Sequence, residues 1–91
     1  MKNGVTKMNL RYIPIANVLA RMNGSRSSLY VKMNEGLFPA SVKVGERRVA
    51  WLEHEVDAMM AFYVSCPSQE ELKAFVKSLE AKRLAVEVSD V

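Results

Sequence analysis

The chain is poor in cysteine, in histidine and, over its first half, in acid. A single cysteine, Cys66, in 91 residues leaves no internal disulfide. A single histidine, His54, and the absence of any CxxC spacing remove the usual ligand sets of a structural zinc, so no metal is expected. No segment approaches the roughly 18 apolar residues of a membrane span. The stretch from Met1 to Met8 has no apolar run of the kind a signal peptide needs. These absences predict a cytoplasmic protein with no membrane partner. No nucleophile–base pair, phosphate-cradling glycine loop or pair of catalytic acids can be assembled, so neither an enzyme nor a cofactor is expected. Residues 1–52 hold only Glu35 and Glu46 as acids, against nine lysines and arginines. Residues 53–91 reverse this, with eight acids against four basic residues. The net charge of +3 thus conceals a basic front and an acidic back, the pattern of a polyanion partner on one face. A histone-like coat would be basic throughout.

The length fits one domain, and a chain of this size buries only about 60–65% of its unfolded surface. With 49% apolar residues it can build that modest core without staples. Residues 1–9 are polar and without period, which predicts a flexible arm. Pro14 to Met22 reads as a first helix. Pro14 suits the first turn, and Ile15, Val18, Leu19 and Met22 make one buried face. Asn23-Gly24 ends it, since both tolerate a left-handed backbone. Ser25 is the N-cap of a second helix, Arg26 to Asn34, with Leu29 and Met33 facing the core. Two short helices joined by a tight turn form a helix-turn-helix pattern.

Gly36 closes the second helix, and Phe38-Pro39 sends the chain out extended. Val42, Lys43 and Val44 alternate, Gly45-Glu46 suits a two-residue type II′ turn, and Arg47 to Trp51 returns. If Val42 and Val44 face inward, their partners are Val49 and Trp51, and Lys43 and Arg48 point outward. A third helix runs from Glu53 to Val64, with Val56, Met59, Met60 and Tyr63 as its apolar stripe. Glu53, Glu55 and Asp57 load its start with charge that favours the helix dipole. Ser65-Cys66-Pro67 breaks it. Ser68-Gln69-Glu70-Glu71 is a capping box for a fourth helix to about Leu84, buried through Leu72, Phe75, Val76 and Leu79. Ala85 to Val91 is expected to fray. The expected fold is mainly α with a small β-hairpin, a winged helix-turn-helix with an extra C-terminal helix. Its segments are an arm (1–9), a DNA-binding domain (10–64) and a C-terminal segment (65–91). That last segment either packs on the domain or presents Leu72, Phe75 and Leu79 to a partner.

A helix and a hairpin that both carry positive charge suit a DNA groove and the phosphates beside it. Arg26, one turn into such a helix, has the reach for guanine O6 and N7; its plainer role is a phosphate contact or a solvated arginine. Ser25 is a cap first and a phosphate ligand second. Ser27 and Ser28 suit phosphates or base edges, Tyr30 a phosphate or half-burial, and Lys32 DNA or solvent. Arg47 and Arg48 at the hairpin tip fit a narrow minor groove, although charge also protects an edge hairpin from aggregation. Lys43 adds a phosphate contact, with Arg11 and Arg21 as further backbone candidates. His54 reads as solvated, and the methionines as core filler.

Four pieces carry a resemblance: Ser25-Arg26-Ser27-Ser28-Leu29-Tyr30, Glu35-Gly36-Leu37-Phe38-Pro39, Val44-Gly45-Glu46-Arg47, and Val49-Ala50-Trp51-Leu52-Glu53-His54-Glu55-Val56-Asp57. In this order and spacing, Arg11 to Asp57 resembles the AlpA family of phage-derived regulators, which overlaps with excisionases (recombination directionality factors). The resemblance implies a MerR-like winged helix that binds double-stranded DNA on the bacterial nucleoid. Ser25, Arg26, Ser27, Ser28 and Tyr30 would fall on its recognition helix and Arg47 and Arg48 on its wing. The implied partners are an integrase of the tyrosine recombinase class and further copies of the chain on DNA. The implied roles are excision factor or promoter-binding regulator. A packaging adaptor resembling a terminase small subunit is the alternative from another class. Asn23 and Gly24 stand where the family turn has glycine and then an apolar residue. Val31 stands where arginine is frequent, which removes an expected phosphate contact.

Overall fold

A computed structural model describes the backbone of residues 10–90 and the side chains of residues 10–83. The expected arm, residues 1–9, lies outside the described residues, as does Val91. The chain forms strand β1 (Tyr12–Ile13), helices α1 (Ile15–Met22) and α2 (Arg26–Asn34), and strands β2 (Val42–Lys43) and β3 (Val49–Leu52). Helices α3 (Glu53–Tyr63) and α4 (Gln69–Asp90) follow. This is a winged helix-turn-helix with an added C-terminal helix.

The turn between α1 and α2 works through its asparagine. Asn23 takes the left-handed conformation (φ 52°), and the Asn23 and Gly24 N–H groups both donate to the Leu19 carbonyl. A last-turn carbonyl that no residue of α1 could reach is thereby satisfied. Ser25 then caps α2, its hydroxyl accepting from the Ser28 N–H at 3.2 Å. At the far end Gly36 has φ 76°, where a side chain would be strained. The Leu37 N–H closes the turn on the Lys32 carbonyl at 2.8 Å.

The sheet has three antiparallel strands in the order β1-β3-β2. Strand β1 was not foreseen: it pairs Tyr12 with Leu52 and Ile13 with Trp51. The wing differs from expectation in its turn and register. Val42 lies opposite Ala50 and Lys43 opposite Val49, and the Val44 N–H donates to the Arg48 carbonyl at 3.0 Å. Gly45, Glu46 and Arg47 therefore form a three-residue tip, not a two-residue type II′ turn. Gly45 is not among the positive-φ residues, and such a turn requires φ > 0 there. Ala50, not Val49, is the buried partner of Val42. Val49 remains 46% exposed, on the same side of the ribbon as its exposed partner Lys43. Cross-strand partners share a face, so Lys43 goes with Val49 and Arg48 with Val44, and the two cations lie on opposite faces of the ribbon.

The core gathers Ile13, Val18, Leu29, Phe38, Trp51, Val56, Met59, Val76 and Leu79. Every element except β2 contributes to this cluster or to the chain entering it. Full burial of each large side chain stabilises by about 1.5–3 kcal/mol. Met22, Met33 and Met60 pack against the cluster as the expected filler. The capping box forms: the Glu71 N–H donates to Ser68 Oγ (3.1 Å) and the Ser68 N–H to Glu71 Oε1 (2.9 Å). Helix α4 folds back onto the core through Val76 and Leu79, and Phe75 stacks on Phe62 of α3 with centroids 4.2 Å apart. It continues to Asp90, six residues past the end expected at about Leu84. Gln69 to Asp90 contains no glycine or proline to stop it.

Candidate nucleic-acid interface

The surface of α2 is sorted by one buried line. Leu29 is fully buried and Met33 packs against the core. Successive residues turn by about 100°, so Ser27, Val31 and Asn34 lie on the side facing away, and all three are exposed. Arg26 is exposed too, but it stands on the same i, i+3, i+7 line as Leu29 and Met33. It therefore leaves α2 on the inward-facing line, and is exposed because it stands at the N-terminal end of the helix, before the core begins. Ser25 is exposed but engaged as the cap. Ser28 is half-buried and Tyr30 exposed. Lys32 turns away, its ammonium 5.6 Å from the centroid of the Tyr63 ring in α3. That contact is a cation–π interaction, and it reduces the reach of Lys32 toward anything beyond α2. Burial pushes the Tyr63 phenol pKa up.

The remaining cations divide into two kinds. Lys43, Arg47 and Arg48 on the wing are exposed. Neither they nor Arg26 form an ion pair among the described residues. Arg21 is committed elsewhere: it binds Asp57 at 2.6 Å and Glu53 at 2.7 Å, tying α1 to α3. This hydrogen bond raises the Arg21 pKa and holds the Glu53 carboxyl below the ordinary carboxylate range. Two carboxylates on one guanidinium leave it poorly placed to meet a phosphate as well. Arg11 lies between the two kinds, 3.8 Å from Glu53 with 77% of its side chain exposed.

The three acids that open α3 do not act together as dipole charge. Glu53 and Asp57 hold Arg21, while Glu55 is 1% exposed and is gripped by Arg83 of α4 through Nε (2.8 Å) and a terminal nitrogen. The same Arg83 nitrogen donates to the Ala40 carbonyl at 2.7 Å, and the Ala40 N–H donates to Glu80 Oε2 at 2.9 Å. Helix α4 thus holds both sides of the residue that leads into β2. This clamp was missed from the sequence. Its signal was helical spacing: Arg83 falls four residues after Leu79 and seven after Val76, on the buried stripe, and Glu55 falls four before Met59. His54, expected to be solvated, is half-buried, and its Nδ1 has no partner among the described residues.

No helix among the described residues is long and apolar enough to cross a membrane. The family described as "Prophage CP4-57 regulatory protein (AlpA)" matches residues 11–64. The uncharacterized protein ORF88 of Enterobacteria phage P4 is 39% identical over 51 residues. That match covers 56% of this chain and 58% of the phage protein, so the chain spans little more than half the length of this relative. No solved structure matches the chain significantly. The matched family region begins one residue before β1 and ends one residue after α3, enclosing the helix-turn-helix and the wing whole. The chain belongs to the AlpA family of prophage regulatory proteins.

Proposed function

We propose that this protein binds duplex DNA with sequence preference and acts as an excisionase (recombination directionality factor) of a prophage or genomic island. The observation that carries the reading is the division of its cations. Arg26 on α2 and Lys43, Arg47 and Arg48 on the wing have no acidic partner among the described residues, whereas Arg21 and Arg83 are bound within the fold. Unneutralised cations on a helix end and a hairpin are what phosphate contacts require. The N-terminal end of α2 adds the positive pole of its dipole and backbone donors. In this reading α2 enters the major groove and the wing lies along the adjacent backbone or minor groove. Several copies binding side by side would bend an attachment site and favour excision by a tyrosine recombinase. A promoter-binding regulator is the neighbouring reading, and the family description, which is of a regulatory protein, supports it.

A packaging adaptor is favoured less. Its partner surface would be α4, but Leu79 is buried and Leu72 and Phe75 pack against the chain's own core. The test is selection of bound duplexes from a random library at moderate salt. Closely spaced tandem motifs support the excision role, and an isolated motif moves the assignment to a promoter regulator. Salt-sensitive binding to every duplex would overturn sequence preference, and no binding would overturn the DNA reading.

A further inference from the structure

We propose that Val31 determines specificity by packing its isopropyl group against the 5-methyl of a thymine in the major groove. The inference rests on the DNA-binding reading and deepens it. Leu29 and Met33 fix the inward direction of α2. Val31 lies midway between them in sequence and hence about 180° around the helix from their mean direction. It is the residue projecting furthest from the core, and it is 54% exposed. Its neighbours on this side, Ser27 one turn before and Asn34 one turn after, carry no charge. The two cations of α2 stand off this ridge: Arg26 on the line of Leu29 and Met33 at the N-terminal end, and Lys32 over the Tyr63 ring.

A neutral ridge, with the cations kept off it, suits base edges at the bottom of a groove and leaves the phosphates at its sides to other residues. On that ridge a valine can neither donate nor accept a hydrogen bond, so its only favourable contact is apolar. The thymine methyl is the apolar group that the base pairs present in the major groove. Valine gains nothing from its local setting. As a β-branched residue it is a poorer helix former than alanine, and among the described residues it makes no core contact that would justify it.

The experiment uses a duplex recovered by the selection above, with each thymine replaced in turn by deoxyuridine, which removes only the methyl. Binding is measured for the native chain and for Val31→Ala, which is exposed and compatible with helix. At one or two positions uracil should weaken the native protein about three- to fivefold, the effect of one buried methyl. Val31→Ala should bind the thymine and uracil duplexes alike, as weakly as the native protein binds uracil. Uracil without effect anywhere, a motif lacking A·T pairs, or an equal uracil penalty in both proteins overturns the proposal while leaving DNA binding intact. Equal penalties would mean that the methyl acts through DNA shape. Failure to bind any duplex removes the DNA reading itself, and this inference with it.

Discussion

Arg83 meets Glu55 side-on, with two nitrogens on two carboxylate oxygens, and joins the last helix to the first turn of α3 across 28 residues of sequence. Glu55 has almost no solvent contact, while Arg83 retains a partly exposed side chain. The pair therefore protects a carboxylate that would be costly to bury alone. Removing only the arginine is the damaging change. Arg83→Met should lower unfolding stability by about 3 kcal/mol, measured by urea denaturation. Combining it with Glu55→Leu should recover most of that loss, since an apolar pair carries no desolvation cost. An equally unstable double variant would show that the Ala40 contact, not the ion pair, is what matters.

Ser25 has two candidate duties, and they can be separated. Ser25→Ala should cost about 1 kcal/mol through loss of the cap. Ser25→Asp keeps a good cap and should leave the denaturation midpoint near that of the native chain, while its charge lowers DNA affinity. If the aspartate variant binds DNA normally, Ser25 is a cap and nothing more.

Acid should loosen the joint between α1 and α3. The Glu53 pKa is lowered in the folded chain, first by its hydrogen bond to Arg21. Its contribution is therefore complete above the unfolded carboxylate pKa and is lost as pH falls through the lower folded value. Stability should rise with pH across the acidic range, and Arg21→Gln should flatten that rise. A profile unchanged by the substitution would place the acid sensitivity elsewhere.

The wing arginines should matter to DNA and not to folding. Arg47→Ala together with Arg48→Ala removes two exposed cations that have no ion pair among the described residues. The denaturation midpoint should stay put, and the slope of log affinity against log salt should shrink by about two charges' worth. An unchanged slope would remove the wing from the interface.

Arg26→Ala should cost about 1–3 kcal/mol on the preferred duplex and relax preference at one base position. Its place at the exposed N-terminal end of α2, off the outermost line, leaves a phosphate contact open as well. Equal weakening on every sequence would assign it to that role.

Local signals in the sequence were reliable where a residue had one job. The Ser25 cap, the Asn23 turn, the Ser68–Glu71 box and the apolar stripes of α1, α3 and α4 could all be read directly, because each depends on neighbours within a turn or two. The wing was harder to read. Its register depends on the length of the tip, and one more residue in that loop moves the partner of Val42 from Val49 to Ala50. Charged residues were hardest. Arg21, Lys32 and Arg47 look alike in a string, yet one is bound by two acids, one lies over an aromatic ring and one is open to solvent. Glu55 reads as dipole charge in the string because its partner is distant in sequence, although both residues sit on apolar stripes that the spacing does reveal.

The grip of α4 on Glu55 and Ala40 also bears on how this unit can be inherited. The family region closes at residue 64, but a carboxylate inside it relies on an arginine nineteen residues further on. A recombination event that moved only the shared region into another chain would carry over a buried acid and leave its counter-ion behind. Exchange among mobile elements should therefore either keep residues 11–83 together or arrive with a neutral residue at position 55.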